Sequence, residues 1–232
     1  MQGTQTLLAM SPLAQPGMHT ANRERVIVGI DDALHYLHQQ RWHALLIDLS
    51  DNARAGFALL EAVLAAELMK EITPPALLLA GSIHLQTLNE NLLRLKGFDQ
   101  LLPLPLAEAL PLEEPKPADL RELHALARQQ QPVIDAMLPR LLQTLDADIT
   151  HLETMRHQGT LMQIADLAHR MKSSWHLLGM RRARRGCIIM ERLPALINDG
   201  VISAENSLKM RESFISMMFD EHRQLQELIR IG

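Results

Sequence analysis

The stretch "ADLAHRMKSSWHLLG", Ala165 to Gly179, sets two histidines, a lysine and two serines among apolar residues. On a helix, His169, Lys172, Ser173 and His176 are three, four and seven apart and share one face. An exposed imidazole is mostly neutral near pH 7 and can act as a nucleophile. A phosphoryl group on its ring nitrogen would carry strong negative charge, which a lysine one turn away offsets. A small residue at position 173 lets a partner's backbone come close. Leu161, Ile164, Ala168, Met171, Trp175 and Leu178 form a separate apolar stripe that must face a helical core. The stripe turns His169 toward water. Spacing alone leaves a plainer alternative ahead, a solvated polar face on which His169 does nothing.

The chain that must position these residues has 232 residues, 47% hydrophobic and 22% charged, enough for one large or two small domains with a buried core. A net charge of −4 gives no basic field for nucleic acid or anionic membrane, and 3% aromatics disfavour a base-stacking platform. The 13 methionines suit helix packing. Cys187, the one cysteine, has no disulfide partner and no zinc-ligand spacing around it. A cytoplasmic setting is expected. No apolar run reaches membrane-spanning length, and "MQGTQTLLAMSPLAQPG" lacks the basic leader of a signal peptide.

Two halves differ in period. Residues 1–106 alternate apolar runs ("TLLAM", "RVIVGI", "ALLIDLS", "PALLLAG", "QLLPLP") with helix-like segments. That is the pattern of a parallel sheet covered by helices. The connection after the first run holds Pro12, Pro16 and Gly17 and is expected to be a loop. Pro103, Pro105, Pro111, Pro115 and Pro117 mark a change of character, and a linker is placed at 107–117. Residues 118–232 read as helices only, roughly 118–129, 132–156, 160–178, 180–198 and 203–230. Asn198 and Gly200 suit a helix end, Ser203 suits a cap, and Pro139 is expected to kink its helix or mark its start.

"AHRMKSSWHLLG" resembles the signature of histidine-containing phosphotransfer (HPt) domains: a histidine, a lysine three residues on, small residues, then Leu-Gly. The resemblance continues into "CIIMERL" with Cys187, Met190 and Glu191, and covers about 118–232. Ser173 stands where glycine is common. The resemblance implies an all-α four-helix bundle, His169 as phosphoacceptor, Lys172 as the group that stabilises its phosphate, and Cys187 as a packing residue. Ser173, His176, Arg181 and Arg182 would dock a receiver domain. For the run "RRARR", Arg181 to Arg185, the plainer alternative is an exposed basic helix face.

The first half resembles a receiver domain, which implies a parallel sheet in flavodoxin-like order. Asp48 ends "ALLID", Gly56 follows eight residues later, and Pro105 sits at the family's proline. Receivers hold Mg²⁺ with an acidic pair at the end of the first strand, yet here that strand ends in Met10–Ser11. Asp31–Asp32 lie only seventeen residues before Asp48 and read as a helix N-cap. Leu104 replaces the family's lysine, and Ser82 is out of register. Asp48 is expected to be a degenerate site.

The expected function is that of a phosphorelay intermediate in two-component signalling. His169 would take a phosphoryl group from a receiver aspartate of a hybrid kinase and pass it to a response regulator. This chain would bind no cofactor, and Mg²⁺ would sit on the partner. No contact with nucleic acid or membrane is expected, although the chain could be the soluble end of a membrane sensor kinase. The rivals are an interaction module that carries no phosphate and a metal-binding bundle. The latter lacks a third ligand to join His169 and His176.

Overall fold

The computed structural model describes residues 6–10, 25–84, 86, 88–104 and 118–231. The loop expected after the first strand, Pro105 and the linker at 107–117 lie outside the described residues. The chain divides into two compact units, Met1–Pro115 and Lys116–Gly232. Among the described residues no helix is long and apolar enough to cross a membrane.

The first unit is an α/β domain. Its strands are β1 (Thr6–Met10), β2 (Arg25–Gly29), β3 (Ala44–Asp48), β4 (Leu77–Ser82) and β5 (Gln100–Pro103), with helices α1 (Ile30–Gln39), α2 (Ala53–Leu68) and α3 (Glu90–Lys96) between them. All neighbouring strands pair in parallel, in the order β2-β1-β3-β4-β5. The crossovers through α1, α2 and α3 all step in one direction across the sheet. Right-handed connections therefore lay these helices on one face, and α1 and α2 pack together. Every residue of β3 and β4 is buried, which explains why both read as unbroken apolar runs.

One local expectation is corrected. Gly29, not Asp31 or Asp32, occupies the N-cap of α1, and it makes no side-chain cap bond. Both aspartates lie in the exposed first turn, where their charge complements the helix dipole.

The second unit is helical: α4 (Arg121–Leu126), α5 (Gln131–Gln158), α6 (Leu161–Leu177), α7 (Arg181–Asn198) and α8 (Ala204–Ile231). Helix α5 packs on α6, α6 on α7, α7 on α8 and α8 back on α5, which closes a ring of four long helices. Pro139 lies inside α5. The helix starts at Gln131, with Pro132 in the first turn, where a missing N–H costs nothing. Gly186 lets α8 come close to α7, because a Cβ there would run into Met217. Arg211 of α8 donates to the Met155 and Arg156 carbonyls near the end of α5, at 3.2 and 2.8 Å.

The helix that carries His169 is stopped at both ends by local chemistry. Thr160 and Gln163 form a reciprocal capping box at its start. At its end Gly179 takes φ +68°, its N–H bonds the His176 carbonyl, and the Met180 N–H bonds the Trp175 carbonyl. This is a Schellman stop. Gly179 has a second constraint, since a Cβ there would collide with the backbone of Asp119. Gly200 closes α7 in the same way, and Ser203 caps α8 through its bond from the Asn206 N–H at 3.2 Å.

Four non-glycine residues among those described have positive φ: Lys70, Ala118, Arg128 and Gln129. Each costs about 1–2 kcal/mol of backbone strain.

Candidate functional site

Helix α6 buries Ile164, Ala168, Met171, Trp175 and Leu178 completely, with Leu161 half-buried at its start. That stripe points His169 outward, and its side chain is 65% exposed. Ser173 is exposed beside it, while Lys172 and His176 are partly covered.

The helix that follows completes the site. His169 Nδ1 lies 2.9 Å from Glu191 Oε1, and the ammonium of Lys172 hydrogen-bonds Glu191 Oε2. A carboxylate can only accept, so the Nδ1 atom carries the proton of this bond. The neutral ring then holds its lone pair on Nε2, which makes no hydrogen bond among the described residues. Burial pushes the Glu191 carboxyl up, but hydrogen bonds from Lys172 and His169, and their charge, pull it further down. It ends below the usual 4.5.

Glu191 entered the sequence reading only as a match in "CIIMERL"; its place in the site was missed. A signal exists. His169 stands eleven residues before Met180 and Glu191 eleven after it. Two antiparallel helices joined by a tight turn bring residues equidistant from that turn to the same height. His176 and Arg184, each four residues from Met180, obey the same rule, and Arg184 Nη1 donates to His176 Nδ1 at 3.2 Å.

The remaining docking candidates are dispersed. His176 faces Glu122 of α4 at 3.9 Å. Arg182 pairs with the largely buried Glu221 of α8 at 3.5 Å, and Arg181 is half-buried. The reading of "RRARR" as an exposed face is corrected: Arg184 and Arg185 are buried, because α7 is packed between α6 and α8. On the other flank of His169, Arg170 donates to Asp148 Oδ1 of α5 at 2.8 Å. Cys187 is fully buried. Burial pushes its thiol far above the ordinary range, so it packs and does not react.

Glu191 also makes a pH prediction. Its folded carboxyl lies below its unfolded value, so it stabilises the bundle above about pH 4.5, and that contribution is lost as pH falls through the folded value. Glu221 acts in the opposite sense. Burial raises it despite Arg182, so its contribution is full below pH 4.5 and disappears as pH rises through its folded value. Glu191→Gln is expected to flatten the acid side of a urea-midpoint-against-pH curve. An unchanged curve would remove Glu191 from the ion pairing described.

In the first unit Asp48 is buried at the end of β3. Its Oδ1 accepts from the Ser50 N–H at 2.8 Å and the Ser50 hydroxyl at 2.6 Å, and Ser50 Oγ accepts from the Ile83 N–H at 3.0 Å. The carboxylate thus fastens two loops at one end of the sheet. Asp31 and Asp32 follow β2, and β1 lies between β2 and β3. At strand spacing the two ends are roughly 10 Å apart. Buried Ser82 uses its hydroxyl to accept from the His84 N–H at 2.9 Å, and Leu104 is buried against Gly81. Among the described residues no group of three acidic, histidine or cysteine side chains is placed to hold a metal ion.

Comparison with family models, curated proteins and solved structures found no match to this chain.

Proposed function

We propose that the helical unit is a phosphotransfer carrier of the HPt type and that His169 is its phosphoacceptor. The observation that carries the reading is the hydrogen bond from His169 Nδ1 to Glu191, which in the neutral ring places the lone pair on Nε2, away from that carboxylate. Nε2 attacks the phosphorus of an aspartyl phosphate on a receiver domain. The N–P bond forms, the P–O bond to the aspartate breaks, and the aspartate leaves as a carboxylate. No proton has to move. The phosphorylated ring keeps its Nδ1 proton and is cationic, and Glu191 offsets that charge. Lys172, one turn along, is held on Glu191 and would swing off it to reach the incoming phosphoryl oxygens. Any Mg²⁺ belongs to the partner receiver. Transfer onward to a response regulator is the same step reversed.

For the first unit the reading is a receiver-like scaffold that does not accept phosphate. Its strand order is that of flavodoxin-type sheets, and Ser50 donates twice to one carboxylate oxygen of Asp48, Oδ1. Together the units would serve a phosphorelay in the cytoplasm, as a relay protein or the end of a hybrid kinase.

The test is incubation with a panel of phosphorylated receivers. At least one is expected to label the chain with an acid-labile, base-stable phosphate. If none does, the interaction-module reading takes its place.

A further inference from the structure

We propose that α4 is a displaceable strap, docked across the corner where α6 turns into α7 and able to open while the four long helices stay folded. The inference belongs to the bundle itself and stands apart from the phosphotransfer reading.

Helix α4 has six residues, too few to persist without tertiary contacts. Its apolar hold is a small cluster in which Leu123 and Ala127 meet Ile134 of α5, with the partly buried Leu120, Met137 and Leu138 packed against it. Leu126, its other leucine, is 58% exposed. A polar hold comes from Glu122, which faces His176 of α6 at 3.9 Å. Just ahead of the helix, the Asp119 backbone lies over Gly179 so closely that no side chain fits there.

Against this hold stands the backbone. Three of the four positive-φ residues noted above bracket α4: Ala118 on one side, Arg128 and Gln129 in tandem on the other. The Arg128 N–H bonds the Ala125 carbonyl at 3.1 Å and the Gln129 N–H bonds the His124 carbonyl at 2.9 Å. That is a Schellman stop with arginine where glycine is favoured, followed by a second left-handed residue. The strain of three such residues and the gain from covering this small cluster, Leu123, Ala127 and Ile134 with the partly buried side chains around them, are of the same order. Elements so balanced open locally, below the threshold for global unfolding. Opening would uncover Gly179, the stop of the helix that carries His169, and release His176 from Glu122. In sequence α4 directly follows the proline-rich stretch, so a pull on that stretch would act on α4 first.

Hydrogen exchange on the full chain across a urea series tests this. The α4 amides are expected to exchange through an opening that is faster than that of α6 and α7 and insensitive to urea. The double variant Arg128→Gly/Gln129→Gly should slow α4 exchange roughly threefold to tenfold by relieving strain in the docked state. Leu123→Ser should speed it by about tenfold or more and leave α6 exchange unchanged. Glycine variants that leave α4 exchange unchanged or faster would overturn the proposal, because glycine in an unstrained loop only adds chain entropy. So would α4 amides that open only with the whole bundle.

Discussion

Replacing His169 with glutamine is expected to abolish phosphoryl uptake from every receiver that labels the parent protein, with no more than about 0.5 kcal/mol change in stability. The two halves of this expectation come from different observations. Uptake disappears because an amide has no nucleophilic ring nitrogen, and His176 cannot substitute: its Nδ1 accepts from Arg184 and its other nitrogen faces Glu122. Stability holds because His169 lies off the apolar stripe, 65% exposed. Labelling measured beside a urea curve checks both. Uptake that survives the change would remove His169 from the role. Lost uptake with a collapsed urea midpoint would make His169 structural.

The second large effect is on folding. Trp175 is the largest fully buried side chain of the bundle, at the centre of the α6 stripe. Trp175→Ala is expected to cost about 3–5 kcal/mol, against a typical domain stability of about 5–15 kcal/mol. Trp175→Phe should cost less than its lost volume suggests. The indole N–H of Trp175 is buried with no acceptor among the described residues, and phenylalanine removes that unpaired donor. The other tryptophan, Trp42, lies in the first unit, where its N–H donates to the Tyr36 carbonyl at 3.0 Å. In Trp175→Ala, fluorescence therefore reports the first unit alone, while circular dichroism reports the loss of helix. A urea midpoint unchanged by Trp175→Ala would contradict the packing described.

What the sequence yields here depends on how local each determinant is. The stripe from Ile164 to Leu178 and the exposure of His169 follow from a 3.6-residue period within one helix. The caps at Gly179, Gly200 and Ser203 follow from chemistry within a few residues. Features that depend on a second element were harder to read. The role of Glu191 requires the α6–α7 turn, which fixes which residues meet. The arginines of "RRARR" look solvated to a local reading, yet Arg184 and Arg185 are buried because α7 has neighbours on two sides. A similar limit applies to Asp48. Its missing acidic neighbours were visible in the spacing, but its capture by Ser50 and the strand that separates it from Asp31 and Asp32 belong to the folded sheet. The N-cap of α1 was misplaced by two or three residues, the usual uncertainty of a helix end.

The pairing of positions about Met180 has a consequence for how such a site can be moved or lost. The exposed imidazole, the lysine beside it and the carboxylate that both of them bond all fall within positions 169 to 191, one uninterrupted stretch of twenty-three residues. The chemistry does not have to be assembled from distant parts of the chain, so the hairpin could be grafted whole onto another bundle of matching width. The same compactness is a vulnerability. One residue added to the turn at Gly179 would rotate everything after it by about 100° on the helix. Glu191 would then leave His169, with both residues still present in the sequence.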